Sequence, residues 1–133
     1  MKQTAPAKNV FADRVYLFAG IWGLILCTPG VFGERWTSQN VPPPITHPEY
    51  FYGFTICAIA WQIMFVLMSR DAQRFRSLMP ATIVEKFGYA AAIIALFAFH
   101  RIATWYFWLS MTDLVWGVLF IAAYRRTRTT ARS

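Results

Sequence analysis

Charge is scarce in this chain. Asp, Glu, Lys and Arg make up 14% of its 133 residues, against about 25% in an ordinary soluble domain. Cysteine is nearly absent: Cys27 and Cys57 are the two present. They form no Cys-x-x-Cys, so neither a thioredoxin-like site nor a zinc site is suggested. The two histidines, His47 and His100, do not fall within apolar runs as a pair, which leaves bis-His haem ligation without its ligands. No internal repeat is visible. What the chain has in quantity is apolar surface, with 57% hydrophobic and 18% aromatic residues.

These residues come in long blocks. A membrane-spanning helix needs roughly 20 mostly apolar residues, and four such blocks stand out, at 15–32, 50–69, 81–99 and 102–124. A soluble protein this small lacks the polar chain to cover four wholly apolar helices. The reading is an all-α, membrane-embedded four-helix bundle forming a single domain. The first block is too long for a signal peptide, and Gly30-Val31-Phe32-Gly33-Glu34 is a poor cleavage site, so it reads as a retained span.

The net charge of +7 raises the question of nucleic acid, but its distribution points to a membrane. Lys2, Lys8 and Arg14 precede the first block. Arg70, Arg74, Arg76 and Lys86 follow the second, and Arg125, Arg126, Arg128 and Arg132 follow the fourth. Only Arg35 and Arg101 lie on the other side. By the positive-inside rule both termini are cytoplasmic, as an even number of spans requires. The expected location is a bacterial inner membrane, crossed several times. The expected partners are the bilayer, including anionic headgroups, and other membrane subunits or further copies of the chain. No nucleic-acid partner and no cofactor are expected. The Arg/Thr tail RRTRTTARS is expected to be disordered.

Between the first two blocks, 33–48 is an external loop, stiffened by Pro42-Pro43-Pro44. Thr46 or His47 caps the second span, with Pro48 at its first position and Glu49 in its first turn. Asn9 or Asp13 caps the first. Phe75, Leu78 and Met79 of the inner loop are expected to dip into lipid. Tyr50, Phe51, Tyr52, Trp105, Tyr106 and Trp108 read as an outer aromatic belt. Along the first span Tyr16, Gly20, Gly23 and Cys27 share a stripe whose small residues let a neighbour approach closely.

A few polar groups violate the pattern. Asp113, in the run LSMTDLVWGVLF, stands midway along the fourth block. A lone ionised carboxylate at that depth costs about 2.5–3.5 kcal/mol or more, so it should be protonated, paired or facing water. Helical spacing puts Tyr106, Ser110, Gly117 and Phe120 on its face, where Ser110 and Tyr106 can hydrogen-bond it. If Lys86 marked the membrane surface, the third span would cross only roughly 20 Å of a core about 30 Å thick. Glu85 and Lys86 therefore lie below the surface. Glu85, Gly88, Tyr89 and Ala92 share a face, as do Thr55, Ala58, Gln62 and Ser69. Depths from the inner surface are roughly 6, 8, 10 and 16 Å for Glu85, Lys86, Gln62 and Asp113. Lys86 can snorkel outward or climb toward Asp113.

The candidate site is thus an intramembrane polar cluster of Asp113, Glu85, Lys86, Gln62, Ser110 and Tyr89. Two readings stay open. Such groups can staple helices, at roughly 0.6 kcal/mol per polar contact, or mark a substrate or proton path. A second cluster, His47, Glu49, His100 and Arg101 with Glu34 and Arg35, lies at the outer rim. Its spacing supports capping and ion pairs and no metal site.

The stretch THPEYFYGFTICAIAWQIMFVLMSRDAQRFRSLMPATIVEKFGY, Thr46 to Tyr89, resembles small bacterial four-helix membrane proteins that are loosely DoxX-like, and the likeness covers roughly His47 to Arg101 best. The resemblance implies a lean toward membrane redox or accessory roles and carries no catalytic signature. The functional expectation is an accessory or interaction subunit of a membrane complex. The alternative is a binding protein or enzyme for an apolar small molecule, a quinone or lipid, using the cluster around Asp113.

Overall fold

A computed structural model describes residues 8–130, with side chains through 127. Lys2, Arg132 and the side chain of Arg128 lie outside the described part. The described residues are helical, with no strand among them. The helices are α1 (Val10–Cys27), α2 (Glu34–Asn40), α3 (Pro48–Met68), α4 (Met79–Ala98), α5 (Thr104–Ser110) and α6 (Thr112–Thr130). Short 3-10 turns at Thr28–Phe32 and Arg76–Leu78 extend α1 and lead into α4. Four segments are long and apolar enough to cross a membrane: Val10–Phe32, Pro48–Met68, Arg76–Ala98 and Thr104–Thr127.

Packing order differs from chain order. α1 packs against both α3 and α6, and α4 packs on α6. Glycines set the close approaches. A methyl on Gly20 would stand 2.7 Å from Val66 Cγ2 and 2.9 Å from the Gln62 carbonyl, and one on Gly23 would collide with the Gln62 carboxamide. A methyl on Gly117 would sit 2.9 Å from the Phe87 ring. The small-residue stripe on α1 is therefore the α1–α3 seam, as its spacing predicts.

One end of the bundle collects the basic residues and the inner loop; the other holds α2 and the α4–α5 connection. The core lies toward the basic end: Ala12, Val15, Tyr16, Ala19, Phe65, Met68, Ala72, Met79, Phe120 and Ala123. Tyr16 stacks on Phe120 at 4.5 Å between centroids, and Phe65 meets Phe120 edge-on at 5.1 Å. These offset and edge-on arrangements suit the ring quadrupoles.

Several local expectations need correction. Asn9 caps α1, accepting from the Ala12 N–H at 3.1 Å. Asp13 instead reaches across to the inner loop and accepts the buried Ala72 N–H at 2.8 Å. Met79 and Phe75 turn into the core instead of outward, while Leu78 stays exposed. The external segment is not wholly extended, because α2 forms within it. α6 runs through Thr130, so the first part of the Arg/Thr tail is helical.

The fourth apolar block is also not one continuous helix. It breaks at Met111, between α5 and α6. Thr112 Oγ1 donates to the Leu109 carbonyl at 2.8 Å, and the Leu114 N–H closes on Met111 O at 3.1 Å, three residues back. Side-chain competition of this kind and local 3-10 tightening are recognised causes of helix breaks. The break puts Asp113 in the first turn of α6, where the helix N-terminus favours a negative charge.

Exposure runs opposite to that of a water-soluble bundle. Lys86 is 4% exposed, whereas Val84, two residues away, is 70% exposed. Asp13, Thr55, Gln62, Thr82, Ser110 and Thr127 are likewise buried, while Ile25, Trp108 and Val118 are exposed.

Candidate functional site

α4 supplies the centre of the site. Its buried stripe is Met79, Thr82, Lys86, Ala90 and Ile93. The face expected to carry Glu85, Gly88, Tyr89 and Ala92 is rotated away, and Gly88 has open space beyond its Cα. Lys86 thus points into the bundle, with Glu85 and Tyr89 on its flank.

The Lys86 ammonium does climb toward Asp113. Its Nζ donates to Asp113 Oδ1 at 3.1 Å and to Glu85 Oε1 at 3.4 Å. Glu85 Oε2 is 3.2 Å from the same nitrogen but out of line for a hydrogen bond, and it has no other donor. The Phe65 ring of α3 lies 5.4 Å from the ammonium, within cation–π range. Three helices therefore converge on one cation: α4 with Glu85, α6 with Asp113 and α3 with an aromatic face. The side chain of Lys86 is 5% exposed, against 22% for Glu85 and 18% for Asp113.

Because its span starts at Arg76, Lys86 is ten residues, roughly 15 Å, from the basic end of that segment. Lys86 thus sits deeper along its helix than the roughly 8 Å that a span beginning at residue 81 implies.

Ser110 and Tyr106 share a face with Asp113, as spacing predicts, but they pair with α4 instead of the carboxylate. The Tyr89 hydroxyl stands 3.0 Å from Tyr106 Oη and 3.5 Å from Ser110 Oγ. Tyr89 also stacks on Phe54 of α3 at 5.9 Å. One turn on the other side of the triad, Thr82 Oγ1 sits 2.8 Å from the Tyr16 hydroxyl and donates to Met79 O. A file of hydroxyls thus borders the ions along α4. The Tyr16–Thr82 pair was not anticipated; the signal was Thr82 lying one turn before Glu85 and Lys86.

Gln62 is buried, but its carboxamide lies over Gly23 of α1, and its Oε1 has no donor. It belongs to the α1–α3 seam, and the polar contacts of the triad do not include it. Asp13, the alternative to Asn9 as the cap of α1, is a further buried carboxylate. Its Oδ2 has no hydrogen bond, and Lys8 stands 3.8 Å away. The cysteines do not pair: Cys57 is exposed, Cys27 is half-buried, and both are free.

The rim residues do not assemble into one site. His47 Nδ1 is 3.2 Å from Glu49 Oε1, and this histidine makes no side-chain capping bond to α3. Glu34 Oε2 accepts from the Tyr52 hydroxyl at 2.8 Å. His100 and Arg101 line an open cleft of about 450 Å³ with Pro42, Pro43, Ile102 and Ala103. His100 adopts φ 56°. It ends α4 in a Schellman turn, with His100 N–H on Phe97 O and Arg101 N–H on Leu96 O. Among the described residues, no three His, Cys, Asp or Glu side chains converge as a metal site would need.

Chemically, the triad offers two carboxylates and one ammonium in a water-poor interior, bordered by hydroxyls. Such a set can lock helices together, hold a proton, or bind a polar head group. The chain matches no family model, no curated protein and no solved structure.

Proposed function

We propose that the chain is a multi-pass protein of a bacterial inner membrane, with both termini cytoplasmic, acting as an accessory or interaction subunit of a larger membrane complex. The observation that carries the membrane reading is the inverted exposure: a charged lysine inside, apolar side chains outside. Lipid needs no polar coat, and it forces ionisable groups inward. The gathering of Arg70, Arg74, Arg125 and Arg126 at one end supports cytoplasmic termini. The triad favours a supporting role, because Lys86 is already paired with both carboxylates and ties α4 to α6. The DoxX-like resemblance of His47–Arg101 leans the same way.

Two measurements test this. Reporters fused after Ser133 should be active only in the cytoplasm; activity on the far side would overturn the topology. Purification from native membranes should bring down a membrane-protein partner in fixed stoichiometry. Recovery of the chain without one would count against an accessory role.

A second reading, binding of a quinone or lipid, is favoured by the buried acceptors Gln62 Oε1 and Glu85 Oε2, which lack donors. Asp113→Asn in the native host separates the two. Normal abundance with a lost phenotype supports ligand binding, and lost abundance alone supports the staple.

A further inference from the structure

We infer that Glu85, Lys86 and Asp113 form a one-proton binding site, in which the proton resides on Glu85. The inference rests on the membrane reading, since it depends on lipid keeping water from the triad. The argument begins with a charge count. Two carboxylates face one ammonium, at 3.1 Å from Asp113 and 3.2 Å from Glu85. Fully ionised, the triad carries one uncompensated negative charge.

The neighbours offer nothing to cancel it. α3 presents the Phe65 ring. The titratable groups nearest the triad on α1 and α4 are Cys27 and Tyr89, with Tyr106 of α5 against Tyr89, and thiols and phenols are ordinarily neutral at pH 7. Among the described residues, the other cations nearest the core are engaged at the basic end. Arg76 lies over Tyr124 at 4.1 Å, Arg126 over Phe11 at 3.9 Å, and Lys8 beside Asp13. An unbalanced charge in a low-dielectric interior is relieved most simply by protonation.

Geometry chooses the carboxylate. Asp113 occupies the first turn of α6, where unpaired backbone N–H groups stabilise an anion, and it accepts the shorter aligned bond from Lys86. Glu85 sits well inside α4 and has no such help. Its Oε2 is buried without a hydrogen bond, so that oxygen is the address for the proton. The step is simple: a proton from water joins the Glu85 carboxylate, and no other bond changes. Tyr89, one turn further along α4, with Ser110 and Tyr106, extends a hydroxyl chain from the triad toward the α4–α5 connection.

The test is infrared difference spectroscopy of the full chain in lipid nanodiscs at neutral pH, following the carboxylic-acid C=O stretch and its shift in D₂O. The wild type should show one such band from the triad. Glu85→Gln and Asp113→Asn should each abolish it, because each leaves one carboxylate for one ammonium. Lys86→Met should double it, and Lys86→Arg, the fallback if that variant does not accumulate, should leave it single. Absence of the band in wild type, or its survival in Asp113→Asn, overturns the inference. A band untouched by both carboxyl variants belongs elsewhere, with Asp13→Asn as the control, and overturns it equally. A band that sodium suppresses would mean a metal cation balances the triad instead. Solubility of the chain without detergent would sink the membrane reading, whatever the spectrum shows.

Discussion

The two halves of the bundle are held by different physics. Toward the basic end, Tyr16, Phe65, Phe120, Met68 and Met79 fill the interior with large, fully buried side chains. Toward the other end the buried positions are small or polar: Gly23, Thr55, Ala90 and Ser110, with Ile93 as the one large aliphatic. There the helices meet through the Tyr89–Tyr106–Ser110 hydroxyls, the Phe54–Tyr89 stack and the Phe97–Phe107 stack at 4.2 Å. The triad lies at the junction. In lipid, helix association depends on close packing and polar contacts more than on hydrophobic burial. The first half uses large buried side chains, the second hydroxyl contacts and peripheral ring stacks. The half with small contact areas should open more readily, as locally weak regions do.

Substitutions sharpen that contrast. The largest effect is expected for Phe120→Ala. It removes the ring that stacks on Tyr16 and meets Phe65, at a cost of about 3 kcal/mol. That is the low end for a Phe→Ala cavity, since the reference state in a bilayer is already apolar. Thermal unfolding in detergent should show a large drop in Tm, and a small drop would mean the basic half is not the stable one.

Next comes the α1–α3 seam. Gly20→Ala drives a methyl against Val66 and the Gln62 backbone, which cannot move aside, so about 1–3 kcal/mol is lost. Gly23→Ala meets Oε1, Cδ and Cγ of Gln62 and no backbone among its nearest atoms, so if that flexible side chain rotates aside it should cost less. Equal losses would show that the seam yields as a whole.

The smallest effect belongs to Tyr106→Phe, at about 0.6 kcal/mol, the average of interhelical polar contacts in a membrane protein. Its main signature should be faster hydrogen exchange of α5 backbone amides, with α1 unchanged. Faster exchange spread evenly through both halves would contradict the comparison.

Much of the scaffold could be read from composition. The apolar blocks are long, and helical spacing alone placed Gly20, Gly23 and Gly117 at seams. It also put Ser110, Gly117 and Phe120 on one face with Asp113. Depth along the helices leaves Lys86 two courses, outward to the surface or up toward Asp113, and it takes the second. What failed were matters of a residue or two of rotation, or of local competition. α4 begins at Met79, and its buried stripe passes through Lys86 itself instead of through Gly88 and Ala92. The break at Met111 depends on which carbonyl the Thr112 hydroxyl captures, which an apolar run does not reveal. Of the two candidate caps of α1, Asn9 is the cap, and the partner of Asp13, the Ala72 N–H, is 59 positions away. Gln62 was grouped with the triad because depth along a helix says nothing about direction around it.

The position of α1 has a consequence for biogenesis. Its Tyr16 ring rests on Phe120 of α6, and its hydroxyl meets Thr82, 66 positions downstream. α1 therefore leaves the ribosome before α4 and α6, which supply two of its contacts. Until those emerge α1 has α3 alone to lean on, and Lys86 waits in the bilayer without Asp113. A chain stopped short of α6 would leave that lysine half-paired, a natural mark for quality-control proteases to recognise.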